Sequence, residues 1–208
     1  MDNKVILVGG FHEMVELCED CGLNIVGIID SKLTGKYEGV DVIGTDDDRF
    51  ELFKQYGKIP LVLTPDKPEI RKKLYHLYKE AGFSFKTIIS PRARISRTAT
   101  IGEGTIIQDC VNVSSHTKIG DFVKLNTMSN VMHDCVVGNF TTIAPNVCVL
   151  GRINIGENCY IGANATVLPD LRITDNTTVG AGATVLRNID EAGVYIGTPT
   201  KLLKKHMI

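Results

Sequence analysis

From Ile89 to Val185 an aliphatic residue returns every six positions, seventeen times without a slip. A half-buried strand repeats about every 2 residues and a helix about every 3.6, so neither produces a strict six. The period fits a parallel β-helix, in which three hexads close one triangular coil of about 18 residues and the aliphatic side chains point inward. Coils then stack at the strand spacing of about 4.8 Å, and about five and a half of them are expected. The residue four places after each aliphatic is small or moderately apolar, from Ala93 through Val111, Ser129, Cys135 and Ala165 to Ala183. Turn formers fill the intervals, as in "IGEGT", "VGNFT", "IGENC" and "VGAGA". Such a solenoid leaves flat outer faces and needs caps or partner subunits. The repeat alone also fits a structural or ice-binding solenoid.

The first 86 residues lack the repeat. "KVILVGG" reads as a buried strand, "FHEMVELCEDCG" as a helix ended by Gly22, and "LNIVGIIDSK" as a second buried strand, which together make a βαβ unit. "DDDRFELFKQYG" and "DKPEIRKKLYHLYKEAG" have helical patterns, the first opening on aspartates suited to an N-cap, with "IPLVLTP" a strand between them. The expectation is a small doubly wound parallel sheet over residues 1–86, followed by an all-β helix over 87–208 that ends in a basic tail. A ligand crevice belongs at the carboxyl ends of the sheet strands. Gly9 and Gly10 let backbone amides approach a phosphate at a helix start, and Asp30 ends the second strand where a ribose-contacting acid would sit. The full G-x-G-x-x-G is absent, which disfavours a redox dinucleotide.

Other classes are excluded by composition. With 23 basic and 24 acidic residues and no long basic run, a nucleic-acid partner is not expected. No apolar run approaches a membrane span and no signal peptide is visible, so a cytoplasmic protein is expected. Of six cysteines only Cys18 and Cys21 are close, with no second pair at a zinc-ribbon distance, so no metal is expected.

"IGENCYIGANATVLPD" and "VGAGATVLRNI" resemble the hexapeptide-repeat acyltransferases over residues 89–200. The resemblance, and not the general handedness rule for parallel crossovers, implies a left-handed coil. It also implies a homotrimer with acetyl-CoA in the grooves between subunits. A short nucleotide-binding-like domain fused to this helix is similar to the bacterial nucleotide-sugar N-acetyltransferases, in which the front domain holds the nucleotide end of the acceptor. Those relatives carry a longer glycine run before a histidine; here Phe11 replaces the last glycine and His12 follows. The implied nucleotide-sugar residues are Gly9, Gly10, Phe11, His12, Asp30, Ser31 and Lys32, with Thr64 and Pro65 from the "TPDKPEIR" loop.

Of the five histidines, His76 and His206 read as solvated side chains. His116 and His133 are the fourth and third residues of their hexads and therefore point outward. One coil beyond His133 is Gly151, so the imidazole overlooks a backbone without a side chain. A thioester could lie there with the Gly151 N–H aimed at its carbonyl oxygen. His133 then serves as general base in direct transfer, and Cys135, on an inward position, is a buried thiol and not a nucleophile. By resemblance, "NVMHDCVVGNF" matches the segment that carries the base in sugar N-acetyltransferases, and Asn126 a family asparagine near the acceptor amine. Asp134, next to the base, is a candidate to orient its ring. Some relatives have a second histidine where Thr142 stands. "GVYIGTPTKLLKK" resembles the closing segment along the pantetheine and ADP of CoA, with Gly197, Pro199 and Lys201 matching; Ala163, Gly180 and Ala181 offer small side chains for the same groove. The activity expected is acetyl transfer to a nucleotide-linked 4-amino-4,6-dideoxy sugar in surface-glycan biosynthesis. The alternatives are sugar O-acetylation on the same fold, or a trimeric scaffold without enzymatic activity.

Overall fold

The computed structural model describes residues 3–203. His206 and the rest of the expected basic tail lie outside them. The front unit contains strands β1 (Lys4–Val8), β2 (Asn24–Ile29), β3 (Lys36–Tyr37), β4 (Val40–Gly44) and β5 (Leu61–Leu63), and helices α1 (His12–Asp20), α2 (Arg49–Tyr56) and α3 (Pro68–Ala81). Its sheet order is β3-β4-β2-β1-β5. Strands β4, β2, β1 and β5 are parallel, and β3 adds an antiparallel edge that the sequence reading did not foresee. Its turn, Glu38-Gly39, has both residues at positive φ, the condition for a tight hairpin. The chain steps from β1 outward to β2 and β4, then returns past β1 to β5. That reversal opens a crevice where β1 and β5 end.

The aspartates before α2 do not cap it in the simple way expected. Asp46–Asp48 form a turn of 3-10 helix, and the Asp48 carboxylate reaches back to accept from the Thr45 N–H and hydroxyl at 2.8 and 2.9 Å. These bonds hold the Asp48 carboxyl below the usual carboxylate range. Asp46 instead accepts from the Tyr78 hydroxyl at 2.6 Å and ties this turn to α3.

From Ile88 the chain winds into a parallel β-helix whose seventeen two-residue strands run from Ile88–Ile89 to Thr184–Val185. They form three sheets. The first face holds 88–89, 106–107, 124–125, 142–143, 160–161 and 178–179; the second runs from 94–95 to 184–185; the third from 100–101 to 172–173. Every pairing joins residues one coil apart, such as Val113 with Val131 and Val131 with Val149. The aliphatics of the repeat make one continuous buried core from Ile107 to Val185. Inward hydroxyls and thiols of the fifth hexad position satisfy carbonyls along the coil: Thr117 Oγ1 donates to Met132 at 2.6 Å and Cys135 Sγ to Leu150 at 2.9 Å.

From Gly104 to Gly182 the corners turn with a residue in the left-handed region at the fourth hexad position, including Cys110, His116, Asp134, Arg152 and Asp170. Asn and Asp, the side chains that tolerate this region best, fill half of the twelve non-glycine corners between 110 and 176. Ile89 departs from the expected inward burial and is 38% exposed. It sits on the terminal rung, where no further coil lies below to cover it. Ile88, beside it, is buried instead against the α1 core of the front unit, with Ile106.

The front unit covers the first face. Phe122 and Phe140, at corners one coil apart, stack on each other at 5.3 Å and pack with Tyr75 and Phe85. Arg71, in the charged run of α3, is almost wholly buried between the units. Its guanidinium donates to the carbonyls of Pro65, Asp66, Phe122, Phe140 and Thr141 and to Thr142 Oγ1. Among the described residues no carboxylate pairs with it, and burial lowers its pKa to about 10 against the opposing pull of the Asp66 and Glu69 charges. A buried guanidinium is tolerated because these acceptors occupy its N–H groups.

Candidate active site

His133 stands at the corner between the second and third faces, just after the strand 130–131. Asp134, the next residue, has φ 59°. That left-handed turn folds its carboxylate back to His133, where Oδ2 lies 2.8 Å from Nδ1. With Nδ1 paired, Nε2 is the ring nitrogen left to face outward. Both side chains are about half exposed, 46% and 50%. One coil along, Arg152 could have competed for Asp134. It makes a bidentate pair with Asp170 instead, at 2.6 and 2.9 Å, and those bonds hold Asp170 below the usual carboxylate range.

Gly151 lies directly over the imidazole. A Cβ at that position would come within 2.7 Å of His133 Cε1 and Nε2, so the glycine protects the ring itself and not only the space in front of it. The column is tied by backbone bonds from Asp134 N–H to Ser115 O and from Arg152 N–H to His133 O, each 2.9 Å. Among the described residues nothing accepts from the Gly151 N–H. A donor without a partner and an imidazole with a free nitrogen therefore share one edge of the coil, the requirement for stabilising an oxyanion beside a proton acceptor. Cys135 is fully buried with its thiol on Leu150 O, and burial pushes its pKa up.

The front-unit residues gather at the crevice. Gly9, Asp30, Ser31, Lys32 and Pro65 line a cavity of about 300 Å³ with Ile70 and Leu74. Gly9, Gly10, Phe11, Thr64 and Pro65 line an adjoining one of about 260 Å³ with Asp66 and Lys124. Gly9 has φ 94°, and a Cβ there would lie 2.5 Å from Thr64 Oγ1, so only glycine lets β1 and β5 close this far. The Asp30 carboxylate is occupied: it accepts from the amides of Gly10 at 2.9 Å, Lys32 at 2.7 Å and Leu33 at 3.2 Å. Its work in this structure is to shape the crevice loops. Phe11 turns its ring to within 5.4 Å of Lys124 Nζ, whereas His12 is exposed at the start of α1 and lines neither cavity.

Ala163 and Ala181 lie one coil apart at the corner between the first and second faces, and the Ala163 carbonyl accepts from Gly182. Neither alanine amide has an acceptor among the described residues. Gly180 admits the closing strand Val194–Ile196: a Cβ there would lie 2.9 Å from Ile196 Cγ2. Gly197 and Pro199 form the bend after that strand, and Lys201 begins the antiparallel return, exposed and with no carboxylate partner among the described residues. Small side chains, free amides and a free cation suit an extended pantetheine that ends in phosphates.

The structure thus brings His133, Asp134 and Gly151 together but not Asn126. Asn126 follows a first-face strand and lies at the corner of Ala163, with the whole second face between it and His133. Its Nδ2 lies 3.4 Å from Asp66 Oδ1. Thr142, where some relatives carry histidine, donates to Asp66 O at 2.6 Å and belongs to the inter-unit contact. The sequence reading missed Arg71, Lys124 and Asp66. Their one visible trace was apolar residues at outward hexad positions, Ile106, Phe122 and Phe140, which mark the covered face. Cys18 and Cys21 form no metal site: Cys18 is buried, its thiol pushed up to about 12, and no group of three or more metal-ligating side chains occurs among the described residues. No helix among the described residues is long and apolar enough to cross a membrane.

Comparison with known proteins follows the same lines. Residues 152–187 match the model of the bacterial transferase hexapeptide family, described as six repeats. No curated protein sequence matches the chain. Among solved structures, PerB from Caulobacter crescentus, in complex with CoA and GDP-perosamine, is 29% identical with a TM-score of 0.90 over 97% of each chain. The same perosamine N-acetyltransferase has been solved with a histidine replaced by alanine and by asparagine. The acetyltransferase domain of PglB from Neisseria gonorrhoeae, in complex with acetyl coenzyme A, is 27% identical with a TM-score of 0.90 over 98% of this chain and 100% of that one. WeeI from Acinetobacter baumannii is 27% identical with a TM-score of 0.83 over 96% and 99%. The likeness runs through both units and the hexads alike: the chain has the hexapeptide-repeat, left-handed β-helix fold behind a small α/β unit and is similar over nearly its whole length to bacterial sugar N-acetyltransferases.

Proposed function

We propose that the chain transfers the acetyl group of acetyl-CoA to the amine of a nucleotide-linked 4-amino-4,6-dideoxy sugar, in the cytoplasmic stage of surface-glycan synthesis. The observation that carries this reading is the His133 corner, where Asp134 holds Nδ1 and Gly151 leaves the ring edge open. In the step proposed, the neutral amine attacks the thioester carbonyl as His133 Nε2 takes its proton. The Gly151 N–H donates to the developing oxyanion, and Asp134 stabilises the imidazolium. The intermediate collapses with cleavage of the C–S bond, and the imidazolium returns its proton to the departing CoA sulfur. The products are the N-acetyl sugar and CoA thiol.

The parts of this site lie on opposite sides of the prism. The front crevice covers the first face, and His133 occupies the corner opposite that face. A nucleotide sugar held by Gly9, Gly10 and the Asp30–Lys32 loop therefore meets the His133 of another copy. This favours a homotrimer in which Asn126 and the Ala163–Ala181 corner of one subunit approach His133 of its neighbour. The similarity to acetyltransferases solved with CoA or acetyl coenzyme A favours an enzyme over a non-enzymatic scaffold. A thiol-release assay with amino-sugar and hydroxy-sugar nucleotides tests the reading: turnover of an amino sugar supports it, and turnover of hydroxy sugars alone reassigns the enzyme to O-acetylation.

A further inference from the structure

Asp66 lies in the loop between β5 and α3 and has no part in the step above. It is held far more firmly than an exposed carboxylate usually is. Its Oδ1 accepts from Lys124 Nζ at 2.7 Å, and that lysine side chain is only 1% exposed. Asn126 Nδ2 lies 3.4 Å from the same oxygen, and Asn126 Oδ1 is buried with no donor. The Asp66 carbonyl accepts from Thr142 Oγ1 at 2.6 Å and Arg71 Nη1 at 2.8 Å. Yet the Asp66 side chain remains 47% exposed. Backbone and one oxygen are fixed, and Oδ2 is free.

Asp66 also joins two cavities. It lines the one of about 260 Å³ with Gly9, Gly10 and Phe11, and a second of about 370 Å³ with Tyr160 and Thr178. It therefore stands where the crevice runs out onto the first face of the helix, next to Asn126. A purely structural purpose explains this poorly. Lys124 Nζ also donates to the Thr64 carbonyl at 2.9 Å, but burying a lysine to hold one carbonyl and a half-exposed aspartate is a weak route to stability. A carboxylate immobilised with one oxygen presented to a cavity is suited to a polyhydroxy ligand, because its geometry is set before binding.

We infer that Asp66 is the specificity-determining residue for the acceptor sugar, its Oδ2 accepting a hydrogen bond from the ring hydroxyl beside the amine. The inference rests on the amino-sugar reading above. Asp66→Asn keeps the shape and an oxygen for Lys124 while removing the charge. With the nucleotide amino sugar, the variant's KM rises about ten- to hundredfold, as expected for loss of a charged hydrogen bond. Its kcat stays within about threefold, and its KM for acetyl-CoA and affinity for the bare nucleoside diphosphate are unchanged. An acceptor analogue lacking that hydroxyl loses affinity against wild type by a similar factor and loses nothing more against the variant.

Equal affinity of wild type and variant for the nucleotide amino sugar overturns the inference, and so does wild type that accepts the deoxy analogue as well as the parent. Should Asp66→Asn lose the nucleoside diphosphate as well, its fold is at fault and the analogue series on wild type decides. Should wild type acetylate no amino sugar, the functional reading fails by itself. Binding of the sugar nucleotide against the bare diphosphate, in wild type and variant, then still reports on Asp66.

Discussion

The corner at His133 and the face beneath the front unit are built from the same repeat and solve opposite problems. At the corner, periodicity does the positioning: Ser115, His133 and Gly151 follow one another at one coil's rise, and Asp134 reaches its neighbour because the fourth hexad residues from Gly104 to Gly182 adopt the left-handed turn. On the covered face, periodicity is interrupted. Phe122, Phe140 and Lys124 are outward residues made inward by a second unit, and one buried, aperiodic arginine bonds to carbonyls of both units. A repeat places chemistry accurately because its register is shared by every coil. An interface between unlike units must be specified residue by residue.

Substitutions at the two places therefore have separable effects. His133→Ala is expected to lower kcat by about 100- to 10,000-fold, the range for loss of a general base, with the melting temperature almost unchanged. Steady-state kinetics with thermal unfolding measures both, and unchanged turnover removes His133 from the mechanism. Arg71→Leu acts in the other direction. It strips donors from several buried carbonyls at about 1–3 kcal/mol each, so a loss of at least about 3 kcal/mol of stability is expected. Proteolysis should then cut the front unit while hydrogen exchange at the Ile107–Val185 core stays slow. A single concerted loss of both units would show that the face and the coil are not separable.

The smallest of these effects is also the most specific. Gly151→Ala adds one methyl that meets the imidazole at 2.7 Å and must displace it. A shift of about 1 Å in a catalytic group costs up to about a hundredfold, so kcat should fall by about ten- to hundredfold. Acetyl-CoA affinity and fold should survive. If kcat is retained, the open edge over His133 has no catalytic meaning.

How much of this was legible in the sequence follows the same division. The strict six fixed the strands, the inward column, the outward imidazole and the glycine above it, because each is a consequence of register. The βαβ start and the glycine turn at Gly9 were legible from local chemistry. The antiparallel β3 edge was not, since its strand contributes only Lys36 and Tyr37 and rests on a turn at Glu38-Gly39. Arg71 was invisible for a different reason: in "EIRKK" it has the appearance of one more solvated charge, and only the carbonyls of Phe122 and Phe140, far along the chain, make it an interior residue. The placement of Asn126 away from His133 was hidden as well, because seven residues of separation span an entire face of the prism.

Across that separation, the proposed reaction joins an acceptor held by one chain to the His133 of another. Co-expression of two differently tagged chains tests it, one carrying His133→Ala and the other Gly10→Val, which drives a side chain into Leu33 at the crevice. Each variant alone should form inactive trimers. Doubly purified mixed trimers should regain acetyl transfer, since an intact crevice on one chain meets an intact His133 on its neighbour. Mixed trimers as inactive as either parent would place the whole site within a single chain and contradict the account.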